Sequence, residues 1–380
     1  MESIKREIAS VFEELARGLE TGKLGNDPTV AVIGLGSELG ETTVLEGCLE
    51  AANQGIRVLY LGTEKIEGVT TLPCDCVDQS FSLMEELLKT GEADAAVAMH
   101  YPFPIGVTTI GKIKAPATGR DLYLAATTGT SSTDRVEALV LNAIAGIATA
   151  KADGIQAPTV GILNLDGARQ SELVLKTLQA QGYPISFARS VRADGGAIMR
   201  GNDVLLASQD VLVLDSLTGN AMLKILSAYS SGGNLETMGA GYGPGVGQGM
   251  DGVIAIISRA SGAPVIAESI RYAARTAGNK IEAIYQKEQE LARQAGLDRL
   301  LEERKKQGSA GQVAQPPKEV VTEQIEGIDV LALEDAVQLL WSKAIYAESG
   351  MGCTGPIVRV SSLKLDDAID ILNQGGFIGG

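Results

Sequence analysis

Apolar residues along this chain fall into short runs, and each run ends at a glycine or a polar turn. Such runs are predicted as buried strands at residues 29–33, 57–61, 95–99, 122–126, 159–163, 204–206, 211–214 and 253–257. Stretches with helical spacing follow most of them. This alternation of strand, turn and helix predicts a doubly wound α/β sheet, and such sheets bind ligands in a cleft at the carboxyl ends of their strands.

The same pattern divides the chain into a helix, a body, a linker and a small module. Residues 1–24 have apolar side chains at helical spacing and are predicted as an amphipathic helix. Residues 25–306 form the α/β body. Residues 307–324 are rich in glycine, glutamine and proline, which is the composition of a flexible linker. Residues 325–380 form a C-terminal α/β module with a helix around Trp341.

Composition narrows the classes of partner. The formal net charge of −15 argues against nucleic acid and against an anionic membrane surface. No apolar run is long enough to span a bilayer, and no secretory signal is predicted at the start. The 4 cysteines are too few for a disulfide scaffold in a chain of 380 residues. These features predict a reduced, cytoplasmic protein.

One cysteine of the C-terminal module has a distinctive neighbourhood. Cys353 follows Gly352 and precedes Thr354, Gly355 and Pro356. Glycine allows close approach of a large substrate, and proline discourages helix at the residue before it, so Cys353 is predicted to lie on a turn. Reactive thiols occupy such partly exposed settings, whereas structural thiols lie in apolar runs. A reactive nucleophile and a glycine-rich hairpin with an incidental cysteine both stay open at this point.

Polar residues are concentrated after the predicted strand at 211–214. The segment from Asp215 continues with Thr218, Gly219 and Asn220, and a predicted helix then carries Lys224. Asn220 and Lys224 are four residues apart and therefore lie on one face of that helix. The simpler interpretation is a helix N-cap with a surface lysine. The density of polar groups at a strand end favours a phosphate-binding role instead.

A glycine-rich run follows at residues 239–249, with 6 glycines in 11 residues. Ordering so many glycines costs conformational entropy, so a binding loop is predicted here, with the backbone amides of Gly243, Gly245 and Gly247 near the ligand. His100, the only histidine of the chain, stands at the end of the strand at 95–99. It is a possible general base, although a structural hydrogen-bonding role is the more common one for a lone histidine. With one histidine and no second Cys-x-Cys pair, no metal site is predicted.

The first predicted strand leads into a turn that is close to a dinucleotide fingerprint. Residues 34–40 contain three glycines, and Glu64 follows the next strand, where an acidic ribose ligand is expected. The third glycine comes one position late. A nicotinamide-dependent dehydrogenase is therefore the rival enzyme class.

Three stretches of the body resemble the phosphate acyltransferase family of fatty acid and phospholipid synthesis. These are the Val-Gly-Ile-Leu-Asn run that ends at Asn164, the Asp-Ser-Leu-Thr-Gly-Asn run that ends at Asn220 and is followed by Leu-Lys, and the glycine-rich run with the strand that ends before Ser258. The resemblance implies an isopropylmalate-dehydrogenase-like α/β fold that binds an acyl group and phosphate in a cleft.

With the Gly-Cys-Thr-Gly-Pro run attached to such a body, the whole chain resembles the alpha subunits of component C of glycine, sarcosine and betaine reductases. This resemblance implies that a two-carbon unit passes from the carboxymethyl-selenocysteine of selenoprotein A to Cys353 as an acetyl thioester. Phosphate then releases acetyl phosphate. It also implies a component C beta subunit as a partner and oligomeric assembly. No cofactor is predicted, and phosphate is a substrate. A non-catalytic docking subunit with an incidental thiol is the remaining alternative.

Overall fold

The computed structural model describes residues 28–193, 195–250, 252–310, 315–328, 332–352 and 355–378. The predicted opening helix at 1–24 and the thiol of Cys353 lie outside these residues. The chain divides into a large unit, Met1–Ala295, and a small unit, Gly296–Gly380. The division precedes the predicted end of the body at residue 306, because a helix that begins at Leu297 belongs to the small unit.

Strands β1 to β12 of the large unit form one 12-stranded sheet. Their bounds are β1 Thr29–Ile33, β2 Arg57–Gly62, β3 Thr70–Pro73, β4 Ala95–Ala98, β5 Val107–Lys114, β6 Asp121–Thr130, β7 Thr159–Leu163, β8 Ser186–Phe187, β9 Ile198–Met199, β10 Val211–Val213, β11 Gly243–Gly247 and β12 Val253–Ile256. The order is β3-β2-β1-β4-β12-β11-β5-β6-β10-β7-β8, and β9 pairs with β7. The predicted α/β fold is confirmed.

Helices connect these strands and cover the sheet. They are α1 Glu41–Ala52, α2 Val77–Thr90, α3 Arg135–Ala152, α4 Ala168–Ala180, α5 Gly201–Leu206, α6 Ser216–Ala228, α7 Ala263–Gly278 and α8 Ile281–Gln294. Strands β1, β4 and β12 have no exposed residue, which is why their sequences are continuous apolar runs. None of the helices in the described ranges is both long enough and apolar enough to cross a membrane.

Two strands in the middle of the sheet run against their neighbours. β11 is antiparallel to both β12 and β5, and β5 is antiparallel to β6. They join a parallel group that contains β1 to β4 and β12 to another that contains β6, β7, β8 and β10. The sheet is therefore mixed. Because the two groups meet at β11 and β5, the carboxyl ends of β4, β12 and β6 come close together.

Two predicted elements differ from the structure. Residues 204–206, predicted as a strand, belong to helix α5. The Asp203 carboxylate accepts hydrogen bonds from the backbone amides of Arg200 (2.8 Å) and Val191 (2.8 Å), and these bonds favour a helical turn at this point. The glycine-rich run, predicted as a loop, contains strand β11. A Cβ atom at Gly243 would overlap the carbonyl oxygen of Ile110, so glycine is required there by the close approach of β5.

The small unit has a three-stranded antiparallel sheet. Its strands are β13 Glu323–Ile325, β14 Ala347–Gly352 and β15 Gly355–Val360, in the order β13-β15-β14, and its helices are α9 Leu297–Ala310, α10 Leu333–Ser342 and α11 Leu365–Gln374. Apolar side chains of this unit form a core of their own, with Val337, Leu340 and Val358 among its buried members. Gly352 at the end of β14 pairs with Gly355 at the start of β15.

Candidate functional site

A cleft of about 440 Å³ lies at the carboxyl ends of β4, β12 and β6 in the large unit. Helix α6 closes one side of it. The lining residues include Met99, His100, Thr128, Gly129, Asn220, Tyr242 and Ser258. Strand ends of an α/β sheet present backbone and side-chain polar groups without the competition of ladder hydrogen bonds, so this position is the one expected for a ligand.

Lys224 of helix α6 lies beside the cleft and contacts one of the lining residues, Ser258. Its Nζ donates a hydrogen bond to the Ser258 hydroxyl at 2.6 Å and lies 2.8 Å from the Glu236 carboxylate. The Glu236 side chain is 1% exposed, whereas that of Lys224 is 47% exposed. A buried carboxylate of this kind holds the ammonium group in position while one side of it remains open to solvent.

The Ser258 hydroxyl is placed as a donor toward the cleft. Its oxygen accepts hydrogen bonds from Lys224 Nζ (2.6 Å) and from the backbone amide of Ala260 (3.1 Å). These two bonds occupy the two lone pairs of the oxygen, so its hydrogen atom is left for an acceptor. An anionic ligand in the cleft supplies such an acceptor.

Helix α6 positions the predicted polar cluster, and its members divide into two roles. Asn220 lines the cleft, and its side-chain amide donates to the carbonyl of Thr127 at 3.3 Å. Thr218 instead donates to the helix cap: Asp215 is the N-cap residue, and its carboxylate accepts from the amide and the hydroxyl of Thr218, at 2.9 Å and 2.6 Å. Gly219 is buried against the carbonyl of Ala126, which a side chain would overlap. Thr218 and Gly219 thus fix the helix, while Asn220 lines the cleft and Lys224 contacts Ser258 at its edge.

The remaining predicted residues are divided between the cleft and other parts of the large unit. His100 lines the cleft at the end of β4, next to an edge-to-face pair of rings formed by Tyr101 and Phe103. Gly245 and Gly247 line a second cavity of about 230 Å³ with residues of α8, rather than the cleft that contains Asn220. Asn164 follows β7, where its backbone N–H donates to the Met199 carbonyl at 2.9 Å.

The turn that resembles a dinucleotide fingerprint is occupied by protein side chains. Glu41, the first residue of α1, accepts hydrogen bonds from the Tyr60 hydroxyl (2.6 Å) and the Thr63 amide (2.8 Å). Burial raises the pKa of Glu41, but the hydrogen bonds from Tyr60 and Thr63 outweigh it and lower that pKa overall. A carboxylate therefore occupies the N-terminus of α1, where a dinucleotide would place its pyrophosphate. The first glycine of the turn, Gly34, makes room for the Tyr60 ring. This geometry disfavours dinucleotide binding.

Two groups that contact Lys224 were not predicted as site residues. Ser258 and Glu236 lie far from Lys224 in sequence, and both contact it in the fold. Ser258 lies two residues beyond the end of β12, so its place near a strand end was the available signal. Glu236 has no such signal, because it lies in a loop. The Ser261 hydroxyl donates to the Glu236 carboxylate at 3.0 Å, and the packing of this loop brings Glu236 to Lys224.

The chain matches the model of the fatty acid synthesis protein family over residues 29–359, and it belongs to that family. It is 47% identical, over 100% of both chains, to the glycine/sarcosine/betaine reductase complex component C subunit alpha of Peptoclostridium acidaminophilum. The predicted resemblance is thereby confirmed.

More distant similarities cover about half to two thirds of the chain. A phosphate acyltransferase of Thermus thermophilus is 27% identical over 52% of this chain and 70% of its own length. Among solved structures, the branched-chain phosphotransacylase of Enterococcus faecalis V583 covers 66% of this chain and 99% of its own, at 16% identity and a TM-score of 0.44.

Proposed function

We propose that this protein is an acyltransferase subunit that forms acetyl phosphate through a thioester on Cys353. The observation that carries the proposal is the 47% identity, along the full length, to a component C alpha subunit. In this proposal the acetyl group originates from carboxymethyl-selenoprotein A, and a component C beta subunit completes the complex. Covalent catalysis by a thiol divides a difficult transfer into two easier steps.

The first step converts a carboxymethyl selenoether to an acetyl thioester. The carbon–selenium bond breaks, the methylene carbon gains two electrons and a proton to become a methyl group, and one carboxylate oxygen leaves as hydroxide. The Cys353 sulfur forms the new bond to the carbonyl carbon. The two electrons come from the donor protein, whose selenium and a thiol of its own are oxidised to a selenium–sulfur bond.

The second step is a transfer without redox change. An oxygen of hydrogen phosphate attacks the thioester carbonyl, the carbon–sulfur bond breaks, and the Cys353 thiolate leaves. Negative charge develops on the carbonyl oxygen during the attack, so donors fixed at the site lower the barrier. Ser258 and the side-chain amide of Asn220 in the cleft, with Lys224 beside Ser258, are the groups that suit phosphate, since they provide a hydroxyl donor, an N–H donor and a cation.

The experiment that tests the proposal is mass spectrometry of the protein after incubation with acetyl phosphate. We expect one acetyl adduct on Cys353, and its loss when phosphate or arsenate is added. Two of the other thiols, Cys48 and Cys74, are buried, and burial raises the pKa of both. They are therefore poor nucleophiles under these conditions.

Cys76 provides the matched control, because it is an exposed free thiol of the same chain. The Cys76→Ala protein should acetylate as the unchanged protein does, whereas Cys353→Ala should not. An adduct that persists in Cys353→Ala, or an adduct that phosphate does not release, would contradict the proposal. NADH binding in a separate titration would favour the rival dehydrogenase.

A further inference from the structure

Strand β14 lies at one edge of the sheet in the small unit, because the order of that sheet is β13-β15-β14. Its last residue, Gly352, directly precedes Cys353 in the sequence. An edge strand presents backbone N–H and C=O groups that no strand of its own sheet pairs, and these groups can pair with a strand of another chain. The outer edge of β14 is therefore a surface on which a second protein can dock, next to the candidate thiol in sequence.

The pairing of β14 with β15 shows which backbone groups point outward. In an antiparallel pair, hydrogen-bonded and non-hydrogen-bonded residue pairs alternate along the strands. Met351 lies opposite Pro356, which has no amide hydrogen, so this pair is a non-hydrogen-bonded one. Ser349 and Ala347 precede Met351 by two and four residues and have the same orientation. The backbone groups of Ser349 and Ala347 therefore point away from β15.

Two hydrogen bonds support this orientation. Val360 lies opposite Ala347, and its carbonyl accepts from the amide of Thr322, which is next to β13 on the other side of β15 (3.0 Å). The Trp341 indole of helix α10 donates to the Ala347 carbonyl at 2.9 Å, from outside the sheet. Among the described residues, none hydrogen-bonds to the outward backbone groups of Ser349, and Ser349 is exposed. These groups are open to a partner.

Gly350 gives a second, independent indication. Glycine inside a strand weakens it and often marks a place where another backbone comes close. The φ angle of Gly350 is not positive, so the backbone conformation does not require glycine. A Cβ atom there would lie at ordinary contact distance from its nearest neighbour, Ile357, at 3.6 Å, so packing within the chain does not require glycine either. The missing side chain leaves the edge beside Ser349 unobstructed for a chain from outside.

We propose that an extended segment of the protein that donates the acetyl group pairs with the outer edge of β14 as an additional strand. The inference rests on the proposed function, in which Cys353 receives that group from another protein. Main-chain hydrogen bonds to Ser349 hold the segment and fix its register along β14. Because the chain continues from β14 directly to Cys353, this register sets which residue of the donor meets the thiol.

The charges beside this edge favour a peptide backbone as the occupant. Glu348 precedes Ser349 in the sequence, and the Glu334 carboxylate accepts a hydrogen bond from the Ser349 hydroxyl at 2.6 Å. Two carboxylates disfavour a small anion such as phosphate, whereas backbone pairing needs no charge on the partner. Pairing with β14 of a second copy would bring like charges together across the new strand pair, which is destabilising.

The variant S349P tests the proposal. Proline at this position removes an outward N–H and places a ring on the edge, yet it removes no hydrogen bond to β15, and edge strands accept proline at such positions. We expect the rate constant for acetyl transfer from carboxymethyl-selenoprotein A, measured with the component C beta subunit present, to fall by on the order of 10-fold or more. Acetylation by acetyl phosphate should fall far less, because a small molecule needs no docking strand.

Gln324 of β13 provides the matched control at the opposite edge of the same sheet. It lies opposite Arg359, whose other neighbour is Glu348 of β14. By the same alternation Arg359 pairs with β14, so the backbone groups of Gln324 also point outward. The variant Q324P should leave both rate constants unchanged, and the circular dichroism spectra of Q324P and S349P should match that of the unchanged chain.

Hydrogen–deuterium exchange provides a measurement that does not depend on the reaction. The Ser349 amide should exchange rapidly in the free chain and slowly after addition of carboxymethyl-selenoprotein A, whereas the Gln324 amide should remain rapid in both. Unchanged exchange at Ser349, equal slowing of both acetylation reactions by S349P, or equal effects of S349P and Q324P would overturn the proposal. Association of the free chain with itself that S349P abolishes would also overturn it. Failure of acetyl phosphate to acetylate the unchanged chain would instead contradict the proposed function, and protection of Ser349 by the donor would still support docking at β14.

Discussion

Two hydroxyl groups near α6 have the same chemistry but different roles, and their hydrogen-bond partners decide which. The Thr218 hydroxyl donates its hydrogen atom to Asp215, the N-cap residue of the helix. The Ser258 oxygen accepts from Lys224 and from the Ala260 amide, which leaves its hydrogen atom for a ligand. At the scale of single residues, a hydroxyl group can therefore donate to a ligand only where its hydrogen atom is not already bonded within the fold.

Replacement of Ser258 by alanine removes this donor while Lys224 keeps its pairing with Glu236. A hydrogen bond to a charged group is worth about 1.5–3 kcal/mol, so we expect the second-order rate constant for release of the acetyl group by phosphate to fall by on the order of 10- to 100-fold. The measurement is the rate of deacetylation of the acetylated protein at several phosphate concentrations.

Ser82→Ala is the matched control for that experiment. Ser82 is an exposed serine of α2 whose hydroxyl donates to the Asp78 carbonyl at 3.0 Å. Its replacement should leave the rate constant unchanged. If Ser258→Ala reacts with phosphate as fast as the Ser82→Ala protein does, then Ser258 does not contact phosphate.

Sequence patterns located part of this cleft. His100, Asn220 and Lys224 were predicted from their positions at strand ends or at the start of a helix, and these positions are set by local periodicity. Glu236 could not be predicted, because its contact with Lys224 depends on how a loop folds back. Thr218 and Gly219 were predicted as ligands by proximity in sequence, and the structure places them in capping and packing.

At the scale of elements, β11 and β5 show where local propensity gives way to tertiary packing. Strand β1 was predicted with its exact bounds, since a buried parallel strand is a continuous apolar run. Strand β11 contains Gly243, Gly245 and Gly247, which local propensity assigns to a loop, yet it pairs with β12 and β5. Strand β5 was missed because glycine, threonine and lysine interrupt its apolar residues.

A buried ion pair ties three of these elements together. Lys112 of β5 donates to the Asp153 carboxylate at 2.7 Å, and both side chains are almost fully buried. Tyr123 of β6 and Arg275 of α7 donate to the same carboxylate, each at 2.6 Å. Burial raises the pKa of Asp153, but Lys112 and the hydrogen bonds outweigh that effect and lower the pKa overall.

Replacement of Asp153 by asparagine leaves the Lys112 charge buried without its partner. We expect the free energy of unfolding at neutral pH to fall by about 3–5 kcal/mol, as for other broken buried pairs. Because the pKa of Asp153 is lower in the folded chain than in the unfolded chain, its contribution is complete above the unfolded value of about 4 and is lost as the pH falls through the folded value. The difference between the two proteins should therefore shrink in acid.

Urea unfolding at neutral and acidic pH measures that difference. Asp121→Asn is the matched control, since Asp121 pairs with Lys114 at the surface, where both side chains are substantially exposed. Its replacement should cost no more than about 1 kcal/mol. Equal destabilisation by the two substitutions, or a loss at Asp153 that does not change with pH, would show that the pair does not stabilise the fold as an ion pair.

At the scale of the whole molecule, the chain consists of two units, each with a hydrophobic core of its own. The larger has a 12-stranded sheet with the cleft, and the smaller has the sheet whose strands flank Cys353. The proposed reaction needs a thiol that meets both a protein donor and phosphate. Placing that thiol in a unit with a separate core allows the unit to keep its fold while the large unit binds its ligands.

The single tryptophan makes the separate cores testable. Trp341 belongs to the small unit, packs against its core, and donates a hydrogen bond to the Ala347 carbonyl at 2.9 Å. Its fluorescence therefore reports the small unit, whereas far-ultraviolet circular dichroism is dominated by the helices and strands of the large one. We expect the two signals to give different urea midpoints, with the shallower dependence on urea for fluorescence, because the smaller unit exposes less surface on unfolding. Coincident transitions with equal slopes would mean instead that the two units unfold together as one cooperative body. In that case the small unit, which carries the thiol, could not serve as an independent carrier.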